Sequence, residues 1–169
     1  YNKIKNVSAN VKFPIIIKET GCGISGKIAS KLEMAGVSAI DVAGAGGTSF
    51  ARVEHFRGSV DAPLFFEWGI PTAESLSQCH KAVNLPLIGS GGIRNGMDSA
   101  KALALGASMV GLALPILEPA MKSSEKVVGI FYKLAEELKK TMLLAGVANI
   151  KDLKKIKLIS NQHFLQCDS

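Results

Sequence analysis

The chain has 169 residues, of which 47% are apolar and 20% charged, and 20 Lys and Arg against 14 Asp and Glu give a formal charge of +6. This composition excludes a disordered chain and, without a Gly-X-Y period, a collagen. No run of about 18 apolar residues is present to span a membrane, and the run Phe13 to Ile17 is too short and wrongly flanked for an export signal.

In chain order, a polar opening leads into an apolar run, Phe13-Pro14-Ile15-Ile16-Ile17, that closes on Lys18. Ile28, Leu32 and Ala35 then recur at helical spacing within a helix predicted over Ser25 to Ala35, which Gly36 stops. Ser38 to Val42 reads as a second strand. Ala51 to Pro71 shows little periodicity and reads as a long connection. A second helix begins at Thr72 after Pro71, with Leu76 and Val83 on one face, and Leu85 to Gly89 is a third strand. Asp98 to Leu105 is a helix ended by Gly106, and Met109 to Leu112 a fourth strand. A long amphipathic helix is expected over Lys126 to Leu144, and a short one over Ile150 to Lys155.

Strands that are apolar throughout are expected to be buried on both faces, the mark of a parallel sheet with helical crossovers. Four strand-then-helix units therefore predict an α/β architecture, closed either as a doubly wound sheet or as a barrel. A complete eightfold barrel takes about 250 residues, so on the barrel reading this chain supplies about half of one and forms part of a longer protein.

The basic excess sits largely in the tail, where Lys151, Lys154, Lys155 and Lys157 have the spacing of a solvated helix face. Aromatics are only 6%, and no basic stretch interleaves with them, so no nucleic-acid platform is expected. Cys22, Cys79 and Cys167 are odd in number and form no CxxC pair. They point to a reducing, cytoplasmic compartment, without a disulfide frame or structural zinc.

Glycines gather after three of the strands, in Lys18-Glu19-Thr20-Gly21-Cys22-Gly23, in Ala43-Gly44-Ala45-Gly46-Gly47-Thr48-Ser49, and in Gly89-Ser90-Gly91-Gly92-Ile93-Arg94. All three lie at C-terminal strand ends, where βα folds bind ligands. Without a Cβ the backbone brings N–H groups close to an anion. Gly91, Gly92, Ile93 and Arg94 thus read as a phosphate cradle, against the plainer reading of tight turns. Lys18 suits an electron-rich ring or a phosphate, or else a structural ion pair with Glu19 or Asp41. Thr48 and Ser49 suit a ligand oxygen or a helix cap. Trp68 suits ligand stacking or the core, and Glu54 and Arg57 a closing contact or an exposed pair. His55, His80 and His163 have no metal spacing, and no metal site is assigned.

Several runs resemble the type 2 isopentenyl diphosphate isomerases. These are Ile17-Lys18-Glu19-Thr20-Gly21-Cys22-Gly23-Ile24-Ser25, the segment DVAGAGGTSF from Asp41 to Phe50, Trp68-Gly69-Ile70-Pro71-Thr72, and Ser90 to Gly96 followed by Lys101 to Ala107. The last is shared with other FMN-dependent barrels, and the first two are more specific. The resemblance covers residues 10 to 160. It implies that the chain, 1–169, is a single domain forming the C-terminal portion, strands five to eight, of a (β/α)8 TIM barrel. It further implies a cytoplasmic homo-oligomer that interconverts isopentenyl and dimethylallyl diphosphate with reduced FMN, NADPH and Mg²⁺, without nucleic acid or membrane as partners. Carried over residue by residue, Lys18 contacts the flavin ring and Thr48 binds FMN. Gly91, Gly92, Ile93 and Arg94, with Ala113 and Leu114 after the last strand, hold the FMN phosphate. No protein group in this half is assigned as catalytic: the flavin N5 region serves as acid and base, with Lys18 supporting it. The Mg²⁺ and diphosphate ligands of that family have no counterparts in this sequence. Two rival readings are an FMN-dependent 2-hydroxy acid oxidase or dehydrogenase, which needs an active-site His that Gly44 to Thr48 lacks, and a non-catalytic phosphate-binding module.

Overall fold

The computed structural model describes residues 1–58 and 63–159. Cys167 and His163 lie outside the described residues. The element order is α1 (Asn2–Asn10), β1 (Ile16–Lys18), α2 (Gly26–Met34), β2 (Ala39–Asp41), α3 (Phe50–Phe56), a 3₁₀ turn at Pro63–Phe65, α4 (Thr72–Ala82), β3 (Leu87–Gly89), α5 (Gly96–Ala104), β4 (Met109–Val110), α6 (Leu114–Ala120), α7 (Ser124–Leu144) and α8 (Ile150–Leu153).

The strands form a parallel sheet in the order β1-β2-β3-β4. A doubly wound sheet reverses its strand order at a switch point. This sheet has no reversal, so the choice left open by the sequence falls to the barrel arrangement. The helix starts follow from local chemistry. Ser25, Ser49, Asn95, Ser123 and Asn149 each accept a hydrogen bond from a backbone N–H of the first turn, as capping side chains do.

Period-two alternation sorts the strand residues. Ile40 and Leu87 face the helices and are almost wholly buried, in one core with Leu32, Leu76 and Cys79. A second core joins Ala100 and Leu103 of α5 to Met142 of α7 and Leu153 of α8. On the opposite face Ile16 is 54% exposed and Met109 62% exposed. Burial of every strand on both faces is therefore not found. β1 and β4 are the sheet edges, and the residues Ile16 and Met109 on their second faces are only partly covered.

Three helices depart from the expectation. The opening segment is helical; no residue of α1 is fully buried, and Ile4, which packs against the main core, and Val7 leave only a short apolar trace in a polar segment. Part of Ala51 to Pro71 is α3, whose apolar positions were too few for a periodic signal. α6 carries Pro115 in its first turn, where proline is tolerated, and Pro119 inside, which argues against a helix.

Candidate functional site

The C-terminal ends of all four strands open on one cavity of about 560 Å³, within the usual range for small-molecule sites. Lys18 reaches it from β1, Asp41 from β2, Ser90 from the end of β3 and Gly111 from the end of β4. Each of the sequence-derived site residues, Lys18, Thr48, Gly91, Gly92, Ile93, Arg94, Ala113 and Leu114, lines it. Residues separated by up to 96 positions thus share one wall, because parallel strands present their C-terminal ends at a common edge.

The β2 and β3 turns are built against each other. Gly91 and Gly92 have φ of +100° and +79°, and a Cβ on them would lie 2.2 Å from the Gly44 carbonyl and 2.3 Å from the Gly46 carbonyl, respectively. Both glycines are therefore demanded by packing between the turns, as the plainer reading held. The donors remain available beside them. The backbone N–H groups of Gly91, Gly92 and Ile93 donate to no acceptor among the described residues. Arg94 fastens the two turns, its Nη1 donating to the Gly92 carbonyl at 2.9 Å and its Nη2 to the Gly46 carbonyl at 2.7 Å. Amides and a guanidinium at one corner form a donor set suited to a phosphate.

Asp41 is buried, and its Oδ1 accepts from Ser90 Oγ at 2.5 Å and from the Ala43 N–H at 3.2 Å. Its Oδ2 lies 3.6 Å from Lys18 Nζ. The ion-pair reading of Lys18 thus holds toward Asp41, at a position that also faces the cavity. Lys18 additionally donates to the Glu19 carbonyl at 3.0 Å. The Glu19 carboxylate instead closes its own turn, accepting from the N–H groups of Gly21 (2.6 Å), Cys22 (2.5 Å) and Gly23 (3.1 Å). Burial opposes its ionisation, but backbone hydrogen bonds from Cys22, Gly21, Thr20 and Gly23 outweigh this and hold the carboxyl below its ordinary value.

The remaining expectations divide. Thr48 lines the cavity, whereas Ser49 caps α3 and donates to the Phe66 carbonyl. Trp68 is exposed and meets Phe65 edge-on, outside both core and cavity. Glu54 and Arg57 form an exposed pair at 2.9 Å. Arg52 and Phe56, on the helix hidden in the long connection, line the cavity and were missed with that helix. Arg52 pairs with Glu67 and lies over the Phe66 ring. Asp41 was read from the sequence as a candidate partner of Lys18, whereas Ser90 was visible only within a glycine run. No described group of three or more His, Cys, Asp or Glu is placed to hold a metal ion.

A family model described as FMN-dependent dehydrogenase matches residues 1–160. The chain belongs to this family. Among its relatives, the isopentenyl-diphosphate delta-isomerase of Pyrococcus abyssi is 47% identical over 162 residues, covering 92% of this chain and 44% of that protein. The protein of the same name from Methanothermobacter thermautotrophicus is 48% identical over 162 residues, covering 95% and 46%. This FMN-dependent dehydrogenase family chain therefore spans less than half the length of the curated relatives it matches. Among solved structures, a lactate oxidase of Pediococcus acidilactici superposes with a TM-score of 0.71 at 28% identity, covering 93% of this chain and 39% of that one. A mandelate oxidase variant with a monooxide FMN adduct gives 0.70 at 25%, covering 92% and 45%. The four consecutive βα units are thus a partial TIM barrel of the FMN-dependent dehydrogenase type.

Proposed function

We propose that this chain contributes the cofactor-holding half, strands five to eight, of an isomerase that interconverts isopentenyl and dimethylallyl diphosphate with bound FMN. The observation that carries the reading is the convergence of the four strand-end turns on one cavity, with a phosphate-type donor set at one corner and an ammonium on the wall. Relatives bearing the isomerase name at 47% and 48% identity support the choice of reaction.

The residues fit the cofactor. The amides of Gly91, Gly92 and Ile93, with Arg94 and the turn at Ala113 and Leu114, would hold its phosphate, and the Thr48 hydroxyl would meet a cofactor oxygen. Bound in the reduced form, FMN would supply an acid and base for an allylic proton shift with no net redox change. Lys18 would balance the negative charge of the reduced ring, an electrostatic role. NADPH as reductant, Mg²⁺, a homo-oligomeric state and a cytoplasmic setting belong to the same reading, with the Mg²⁺ ligands outside the described residues. No described helix is long and apolar enough to cross a membrane.

The solved relatives are oxidases, but no described histidine lines the cavity to serve as the base that 2-hydroxy acid oxidation requires.

The test uses the full-length protein. It is expected to be yellow, absorbing near about 450 nm through its flavin, and to convert isopentenyl diphosphate under reducing, anaerobic conditions. A colourless protein unaffected by added FMN overturns the reading in favour of a non-catalytic module. Oxidation of a 2-hydroxy acid without isomerisation overturns it in favour of an oxidase.

A further inference from the structure

Asp41 places a buried carboxylate at the floor of the cavity, and such a group persists only with compensating partners. Its partners come from all sides. Ser90 Oγ donates to Oδ1 at 2.5 Å and the Ala43 N–H at 3.2 Å, while Oδ2 faces Lys18 Nζ at 3.6 Å. Lys18 and Asp41 are register partners on neighbouring parallel strands, so their side chains emerge together on the cavity face. Lys18 has a flexible stem and its side chain is 59% exposed. Its other described contact is a single carbonyl, that of Glu19. Without Asp41 only that carbonyl, and no described charge, would hold the ammonium at the wall against solvent.

We propose that Asp41, clamped by Ser90, is a positioning residue that holds the Lys18 ammonium at the cavity wall, so that its charge is presented to the bound cofactor. The carboxylate does not itself take part in proton transfer in this scheme; it acts through Lys18. The identity of the cofactor rests on the FMN reading above, whereas the restraint of Lys18 by Asp41 does not.

The experiment therefore has two arms, both on the full-length protein. In the first, without flavin, an amine-acetylating reagent is applied and the modification rate of Lys18 is followed by peptide mass spectrometry. Asp41→Asn keeps the shape and a hydrogen-bonding oxygen while removing the charge, and Lys18 should be acetylated about two- to fivefold faster, the range of a partly exposed ion pair. Ser90→Ala, which leaves the charge but loosens the clamp, should give a smaller acceleration, and Asp41→Glu should restore part of the protection. An unchanged rate in Asp41→Asn overturns the proposal whatever the cofactor.

In the second arm the midpoint potential of bound FMN is measured. The sign separates the two ways in which Asp41 can act. Removing a negative charge that acts directly on the ring makes the potential more positive. Releasing Lys18 from the wall makes it more negative, because the reduced ring loses its counter-charge. A negative shift is expected, and it should vanish when Asp41→Asn is made in the Lys18→Met background. A positive shift, or a negative one that persists without Lys18, overturns the proposal. Should the protein bind no flavin while acetylation still accelerates, the FMN reading falls and the restraint of Lys18 stands.

Discussion

Arg94 donates from Nη2 to the carbonyl of Gly46 at 2.7 Å, across 48 positions of sequence, and so ties the turn after β3 to the turn after β2. The same guanidinium also holds the Gly92 carbonyl. This planar two-point bridge fixes the corner proposed above to hold the phosphate.

Arg94→Lys should therefore cost more than its unchanged charge suggests. A lysine has no fork and cannot span both carbonyls in the same way. FMN affinity, followed by fluorescence quenching in the full-length protein, should fall about tenfold, equivalent to about 1.4 kcal/mol. Affinity within about twofold of the parent would mean that charge alone matters at this position.

Gly91→Ala tests the packing of the same two turns. Its Cβ would sit 2.2 Å from the Gly44 carbonyl, in a backbone conformation with φ of +100°. The expected loss is at least about 2 kcal/mol, from strain and the forced separation of the turns. Gly129→Ala meets nothing within 4 Å and lies in the interior of α7, so it should be neutral or slightly stabilising. Chemical denaturation of the two variants side by side checks the contrast.

Glu19→Gln should reveal a pH signature. The native carboxyl lies below its ordinary value of 4.5 because backbone hydrogen bonds overcome the opposing effect of burial. The unfolded chain thus binds the proton more readily, and stability from this group is complete above its unfolded value and lost as pH falls through the native one. At pH about 7 the variant should be less stable by about 1 kcal/mol, a figure reduced for the partial exposure of the site. The gap should narrow at pH about 3, below the unfolded value, because this stability is lost as pH falls toward and through the native one. Urea titrations at the two pH values decide; a gap that persists in acid would point to shape rather than charge.

The thiols should differ in reactivity. Cys79 is buried, and burial pushes its thiol above the ordinary value despite a hydrogen bond with Ser75. Cys22 is exposed on the turn that Glu19 closes. A maleimide added to the native protein should label Cys22 and spare Cys79, as peptide mapping would show; rapid labelling of Cys79 would mean that the core between α2 and α4 opens readily.

Much of this was legible in the sequence, for identifiable reasons. Buried helix faces left a periodic trace, as at Leu32, Ala35 and Leu76, although Ile28 of the same spacing is exposed, and the glycine runs marked the strand ends because close approach of turns leaves no room for a Cβ. The site residues were legible as short runs after strands. What stayed hidden lacked such a trace. α1 fully buries no residue and packs on the core through Ile4, and α6 carries a proline in its interior. Arg52 and Phe56 depended on a helix too short to announce itself. The Asp41–Ser90 contact joins residues 49 positions apart and was invisible until the strands were set side by side.

The alternation along the strands has a consequence for how this protein can change. Ile40 and Leu87 serve the helix-side core, while Lys18, Asp41 and Ser90, at the C-terminal ends of β1, β2 and β3, serve the cavity. Adjacent positions in the chain therefore answer to separate selective demands. Contacts at the cavity can change through one set while the other preserves the scaffold, and a single-residue insertion within a strand would exchange the two sets and forfeit both.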